Sequence, residues 1–191
     1  MTDVLMTVRM WYGFRMIGLI FVFVAQQEIV LARNNAIFSC SFTQDACGMV
    51  NQASAKWNKE FLTIGGRNGY AMVVRGNEAK NHFARLLTPD LSSQGARSAC
   101  MRFLYFIDDR KPASLAVIKQ GFVTKYLFGT ARKTTDHWEY AEVDFEFLGD
   151  KAMFYFEADT RVQEYGNSVV AFTDLTITGG PCQGQQRRYI G

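Results

Sequence analysis

The chain has 191 residues, 48% hydrophobic and 14% aromatic, which is too rich for a disordered polypeptide and long enough to bury one core of ordinary size. Its 21 basic and 18 acidic residues leave a net charge of +3, evenly scattered. That excludes the concentrated positive face a nucleic-acid partner requires.

In chain order, the first element is a leader. Arg9 and Arg15 precede an unbroken apolar run from Met16 to Ala25, which Gln26-Gln27-Glu28 ends. As a helix those ten residues reach about 15 Å, half of a bilayer core of about 30 Å. This is the length of a signal-peptide core, and Val30-Leu31-Ala32 offers modest side chains before a cut, so cleavage is expected after Ala32. The alternative is that residues 1–32 stay as an uncleaved anchor, with Met10 to Phe14 helping to span. Membrane contact is expected only in that case. Removing the leader takes away Arg9, Arg15, Asp3 and Glu28 and leaves the net charge unchanged.

From Ile37 onward, strand signals recur at short intervals. Ile37–Cys40 and Phe61–Ile64 are brief, and Tyr70–Val74 follows a turn cluster of five, Gly65-Gly66-Arg67-Asn68-Gly69. Phe83–Leu87 ends at Thr88-Pro89, where proline removes a ladder donor. Ala99–Ile107 is aromatic-rich and reads as a central strand covered on both faces. Ser114–Gln120 places Leu115, Val117 and Lys119 on one face and pairs across Gly121 with Lys125–Thr130. Trp138–Phe147 alternates Val143, Phe145 and Phe147 with Glu142, Asp144 and Glu146, the acidic row being read as a solvated face. Met153–Ala158 and Val169–Thr178 follow, Gly179-Gly180-Pro181-Cys182 closes the domain, and residues 183–191 are read as a flexible tail.

All four cysteines, Cys40, Cys47, Cys100 and Cys182, fall after the leader, and an even number in an oxidising compartment implies two disulfides. Three pairings are possible. The closeness of Cys40 to Cys47 favours that pair, leaving Cys100 to tie the central strand to Cys182 beside the last one. A zinc site is disfavoured, because there is no Cys-x-x-Cys and the only histidines are His82 and His137. Neither histidine has a recognisable nucleophile partner and no Gly-x-Ser-x-Gly is present, so no catalytic residue is expected. Strands with turn signals between them and disulfide staples argue an all-β, antiparallel sandwich.

The landmarks also stand in a familiar order. Cys40-Ser41-Phe42 with Asp45 and Cys47-Gly48 comes first, then Trp57, Gly69-Tyr70 and Ala84-Arg85-Leu86-Leu87-Thr88-Pro89. Cys100-Met101-Arg102-Phe103-Leu104-Tyr105, Trp138 with Ala141-Glu142-Val143, Ala171-Phe172-Thr173-Asp174-Leu175 and Gly180-Pro181-Cys182 complete it. From Cys40 to Cys182 this resembles the MAM domain, the extracellular module named for meprin, the neuronal A5 antigen and receptor tyrosine phosphatase mu. The resemblance implies a jelly-roll-like sandwich over residues 33–182, disulfides Cys40–Cys47 and Cys100–Cys182, and Trp57, Trp138 and Asp174 as fold landmarks, the two tryptophans packing in the core. It implies a secreted, non-catalytic module for adhesion, binding another extracellular protein or its own copy. Some members bind a cation through acidic residues where this chain has Thr43 and Thr173-Asp174. Because hard cations need several charged oxygens, no metal and no cofactor are expected.

Overall fold

A computed structural model describes residues 36–80, 82–108, 113–121, 123–160 and 168–183. The leader, the cut after Ala32 and the tail beyond Gln183 lie outside the described residues. Among the described residues, no helix is long and apolar enough to cross a membrane.

The domain is an antiparallel, jelly-roll-like β-sandwich of two six-stranded sheets. The strands are β1 (Ala36–Cys40), β2 (Val50–Asn51), β3 (Asn58–Ile64), β4 (Arg67–Arg75), β5 (Ala84–Leu87) and β6 (Leu91–Ser92). After them come β7 (Ser98–Ile107), β8 (Ser114–Gln120), β9 (Lys125–Thr130), β10 (Glu139–Glu146), β11 (Lys151–Asp159) and β12 (Val169–Gly179). One short helix, α1 (Gly76–Ala79), follows β4. The first sheet runs β10-β7-β12-β4-β3 with β1 also on β12, and the second runs β2-β5-β11-β8-β9 with β6 also on β11.

The alternation seen in sequence is what separates core from surface. Met101, Phe103 and Ile107 of β7, Val143 and Phe145 of β10, and Val170 and Phe172 of β12 are buried toward the second sheet, which answers with Leu115 and Val117 of β8 and Phe154 and Phe156 of β11. Phe172 stacks on Phe156 at 4.2 Å, and Trp57 meets Phe172 edge-on at 5.1 Å. Such pairs add about 0.5–1.5 kcal/mol each beyond area burial. Trp57 is 2% exposed; its indole N–H donates to the Phe156 carbonyl at 3.2 Å, and its backbone is held by both ends of the Asn51 carboxamide at 2.8 and 3.0 Å.

Cys40 is bonded to Cys47 and Cys100 to Cys182. With a sequence separation of 82, the second bridge is worth about 4–5 kcal/mol on the chain-entropy model.

Two local readings change. The five-residue turn cluster is a two-residue hairpin: Ile64 pairs with Arg67, and only Gly65 and Gly66 turn, at φ of +57° and +76°. Two positive φ values make the turn whose twist matches the flanking strands, so Arg67 to Gly69 are already strand. The acidic row is more than a solvated face. Glu142 pairs with Arg102 directly opposite it at 2.8 Å, and Asp144 accepts the Cys182 N–H at 2.6 Å. Lys119, third on the inner face of β8, is buried and donates to the Glu146 carbonyl. Burial lowers its pKa, with Lys125 adding to the effect and Glu146 opposing it.

Candidate functional site

The site follows from how β12 changes neighbours. On one edge β12 pairs with β7 along both halves; on the other it pairs with β4 as far as Phe172 opposite Met72, and with β1 from Leu175 opposite Cys40. Between them, at Thr173 and Asp174, that edge has no ladder partner and the β7 register shifts. This is a β-bulge, which turns a side chain out of the pleat. Asp174 takes the left-handed φ of 51° there, a conformation that a non-glycine residue adopts at some cost.

The gap opens into a pocket of about 190 Å³ on the outer face of the first sheet. Four distant segments line it: Ser41 and Thr43 after β1, Arg67 to Tyr70 at the start of β4, Trp138 before β10, and Thr173 with Asp174. Each is held from behind. Phe42, at φ 58°, is fully buried and edge-on to Phe172 at 5.3 Å, so the core fixes the loop that carries Ser41 and Thr43. Those two hydroxyls hydrogen-bond each other at 2.9 Å. Thr173 donates to the Tyr70 carbonyl at 2.8 Å, a side-chain bond where the backbone ladder has stopped.

Arg67 forms an ion pair with Asp174 across the pocket, the side chains being 48% and 38% exposed. The carboxylate's charge is therefore matched inside the protein. With one paired carboxylate and four hydroxyl-bearing residues, this donor set does not fit a divalent cation of the calcium type, which takes six to eight oxygens, several of them anionic. A second grouping, Cys100, Asp144 and Cys182, is closed to metal because its two sulfurs are bonded to each other.

Trp138 departs from the core-packing expectation, and Trp57 does not. Trp138 is half-buried on the outer face, where it packs against the small cluster of Ala71, Val73 and Ala171, with Phe106 at 6.2 Å. The reason is register: Ala71 and Val73 alternate with the core residues Met72 and Val74, so they point away from the second sheet and Trp138 covers them. Its loop is braced by the hairpin turn, since a Cβ at Gly65 would stand 3.0 Å from the Asp136 carbonyl oxygen and 3.2 Å from the His137 Cα.

Arg67 is the pocket residue that sequence reasoning missed. It sits in a turn cluster among small polar residues, and nothing in the spacing links it to Asp174, 107 positions away. The available signal was the Gly65-Gly66 pair, which makes residue 67 the first strand position. His137 meets the Thr135 carbonyl and the Glu139 carboxylate at 3.2 Å, and no cysteine is free.

A sandwich stapled by disulfides and carrying a shallow, charge-matched pocket has the form of a binding module. The chain belongs to the MAM domain family (meprin/A5/mu), which matches residues 40–183. Modules of that family are extracellular, and the two disulfides fit that setting. No curated protein matches the chain. Among solved structures it is similar to three cleaved adhesin domains of Lys-gingipain from Porphyromonas gingivalis. The K1 and K2 domains each have a TM-score of 0.54 at 14% identity, over 75% of this chain and 98% of theirs. The K3 domain has a TM-score of 0.52 at 14% identity, over 76% of this chain and 99% of its own. At that identity the likeness is one of fold.

Proposed function

We propose that the chain is a secreted, non-catalytic adhesion module that recognises another extracellular protein or its own copy. In this reading the leader is cut after Ala32, the module spans residues 33–182, and residues 183–191 form a flexible tail. The observation that carries it is the family match over nearly all of the chain after the leader. The surface supports a protein partner as well. Phe61 on the edge strand β3 is 59% exposed and edge-on to Tyr70 at 5.3 Å, with the Lys59 ammonium 4.9 Å from the Tyr70 ring centre. Aromatic residues on an otherwise polar edge are the usual anchors of recognition.

The test is to express the full chain in secretory cells, take the non-reducing intact mass of the secreted species, and couple that species to beads. A chain starting at Arg33 that aggregates beads or binds cells, with Phe61→Ala reducing the effect at least about tenfold, is expected. Full-length protein retained on membranes, or no partner and no self-association at micromolar concentration, counts against the reading.

A further inference from the structure

We infer that the pocket at the β12 bulge takes a single neutral, hydroxyl-bearing ring, a pyranose, whether free or at the end of a glycan. This deepens the proposed binding role and rests on it. The pocket holds about 190 Å³, below the roughly 300–1,000 Å³ of drug-sized sites, so one ring fills it. Its charge is balanced, because the Asp174 carboxylate is paired with Arg67, and an ion of either sign finds no excess of the opposite charge.

What remains is hydrogen bonding beside an apolar wall. Asp174 contributes acceptors and Arg67 donors within one ion pair, while the bonded hydroxyls of Ser41 and Thr43 can each donate or accept. A carboxylate next to a guanidinium suits a ligand that donates from one group and accepts at its neighbour, as adjacent ring hydroxyls do. Among peptide side chains a carboxamide offers both roles, but on one planar group, whereas a pyranose brings several hydroxyls that can also reach Ser41 and Thr43. Trp138 supplies the apolar wall, and its indole N–H has no partner among the described residues. At Gly69 an added Cβ would meet nothing within 4 Å, so the pocket is open where that strand passes it.

Two non-glycine residues in the left-handed region, Phe42 and Asp174, frame the pocket. Strain of that kind persists where surrounding structure enforces it, and here the buried Phe42 ring and the Arg67 ion pair do so.

The test titrates the secreted chain with a panel of methyl pyranosides (gluco, galacto, manno, fuco and N-acetylglucosamine forms), following backbone and indole N–H resonances by NMR. The expected result is saturable shifts at Gly69, Asp174 and the Trp138 indole for at least one glycoside, with a dissociation constant on the order of 1 mM. Gly69→Val, which suits a strand and fills the opening, weakens binding about tenfold or more without lowering Tm. Arg67→Gln does the same with the core untouched. Printed oligosaccharides ending in the same ring separate the sources: capture of them assigns the glycan terminus, and binding of the methyl glycoside alone assigns the free sugar.

No shift with any glycoside, or shifts that Gly69→Val leaves unchanged, overturns the inference. Bead aggregation by the same variants is read in parallel. Aggregation without glycoside binding removes the inference and leaves the adhesion module standing, whereas glycoside binding without a protein partner does the reverse.

Discussion

Each sheet contains the same construction, and the two copies end differently. In the first sheet β1 and β4 lie end to end beside β12; in the second, β6 and β5 lie end to end beside β11. The second break is sealed by one residue. Thr88 is buried, donates its N–H to the Phe154 carbonyl at 2.9 Å, and accepts the Phe154 N–H on its hydroxyl at 3.0 Å. The first break has one side-chain bond, from Thr173 to the Tyr70 carbonyl, and a bulge that carries Asp174 outward. The cause is connectivity. β5 runs through Thr88-Pro89-Asp90 straight into β6, so the chain itself bridges the gap, whereas β1 and β4 are separated by the whole of β2 and β3. A break between strands adjacent in sequence is filled by their linker, and a break between strands from distant parts of the chain becomes a pocket.

That contrast is open to mutation, beginning with the anchor of the first break. Phe42→Ala should remove about 3–5 kcal/mol of stability by emptying a fully buried ring site. It should also release Ser41 and Thr43, so a lower urea midpoint and lost pyranoside binding are expected together. Thr88→Val at the sealed break should cost about 1–3 kcal/mol, since the buried Phe154 N–H loses its acceptor. Pyranoside shifts should survive it; their loss would mean the two breaks are coupled through the core.

A smaller effect tests the brace behind Trp138. Gly65→Ala places a side chain at positive φ against the Asp136 carbonyl, and should cost about 1 kcal/mol or somewhat more. Because the displaced loop leads to Trp138, the indole resonance should move as well. An unmoved indole would show that the loop absorbs the strain elsewhere.

The smallest change concerns Lys119, which is buried on the inner face of the second sheet. Its folded pKa lies below the ordinary 10.5, so the unfolded chain binds more protons between the two values. Its contribution to stability therefore grows as pH rises from the folded pKa toward about 10.5. Lys119→Met should remove that rise, read as the difference in Tm between wild type and variant from pH 8 to about 10.5. A constant difference would place the ammonium in water.

Much of this architecture is legible in the residues. Val143, Phe145 and Phe147 could share a face only in a strand, and the Cys40-to-Cys47 spacing suggests a local bridge. Strands β2 and β6, of two residues each, are too short to display any period. They exist because β5 and β11 offer them ladder partners. Thr43 and Thr173-Asp174 stand out against the family pattern, yet the pocket they share with Arg67 depends on a bulge in β12. Register shifts of that kind arise from tertiary contacts and leave no mark on local sequence. Alternation puts Lys119 on the inner face, but its burial depends on the Glu146 carbonyl that receives it.

The two disulfides also set how a mechanical load crosses the domain. β1 begins at Ala36 opposite Thr178, so the chain enters and leaves at one pole. A pull between Ala36 and Cys182 peels β1 as far as Cys40 and then crosses to Cys47 through sulfur, bypassing residues 41–46. At Cys100 it crosses directly to Cys182, bypassing residues 101–181. Ser41, Thr43, Trp138, Thr173 and Asp174 all lie in the bypassed segments, which leaves only the Arg67 to Tyr70 wall of the pocket on the covalent path of tension.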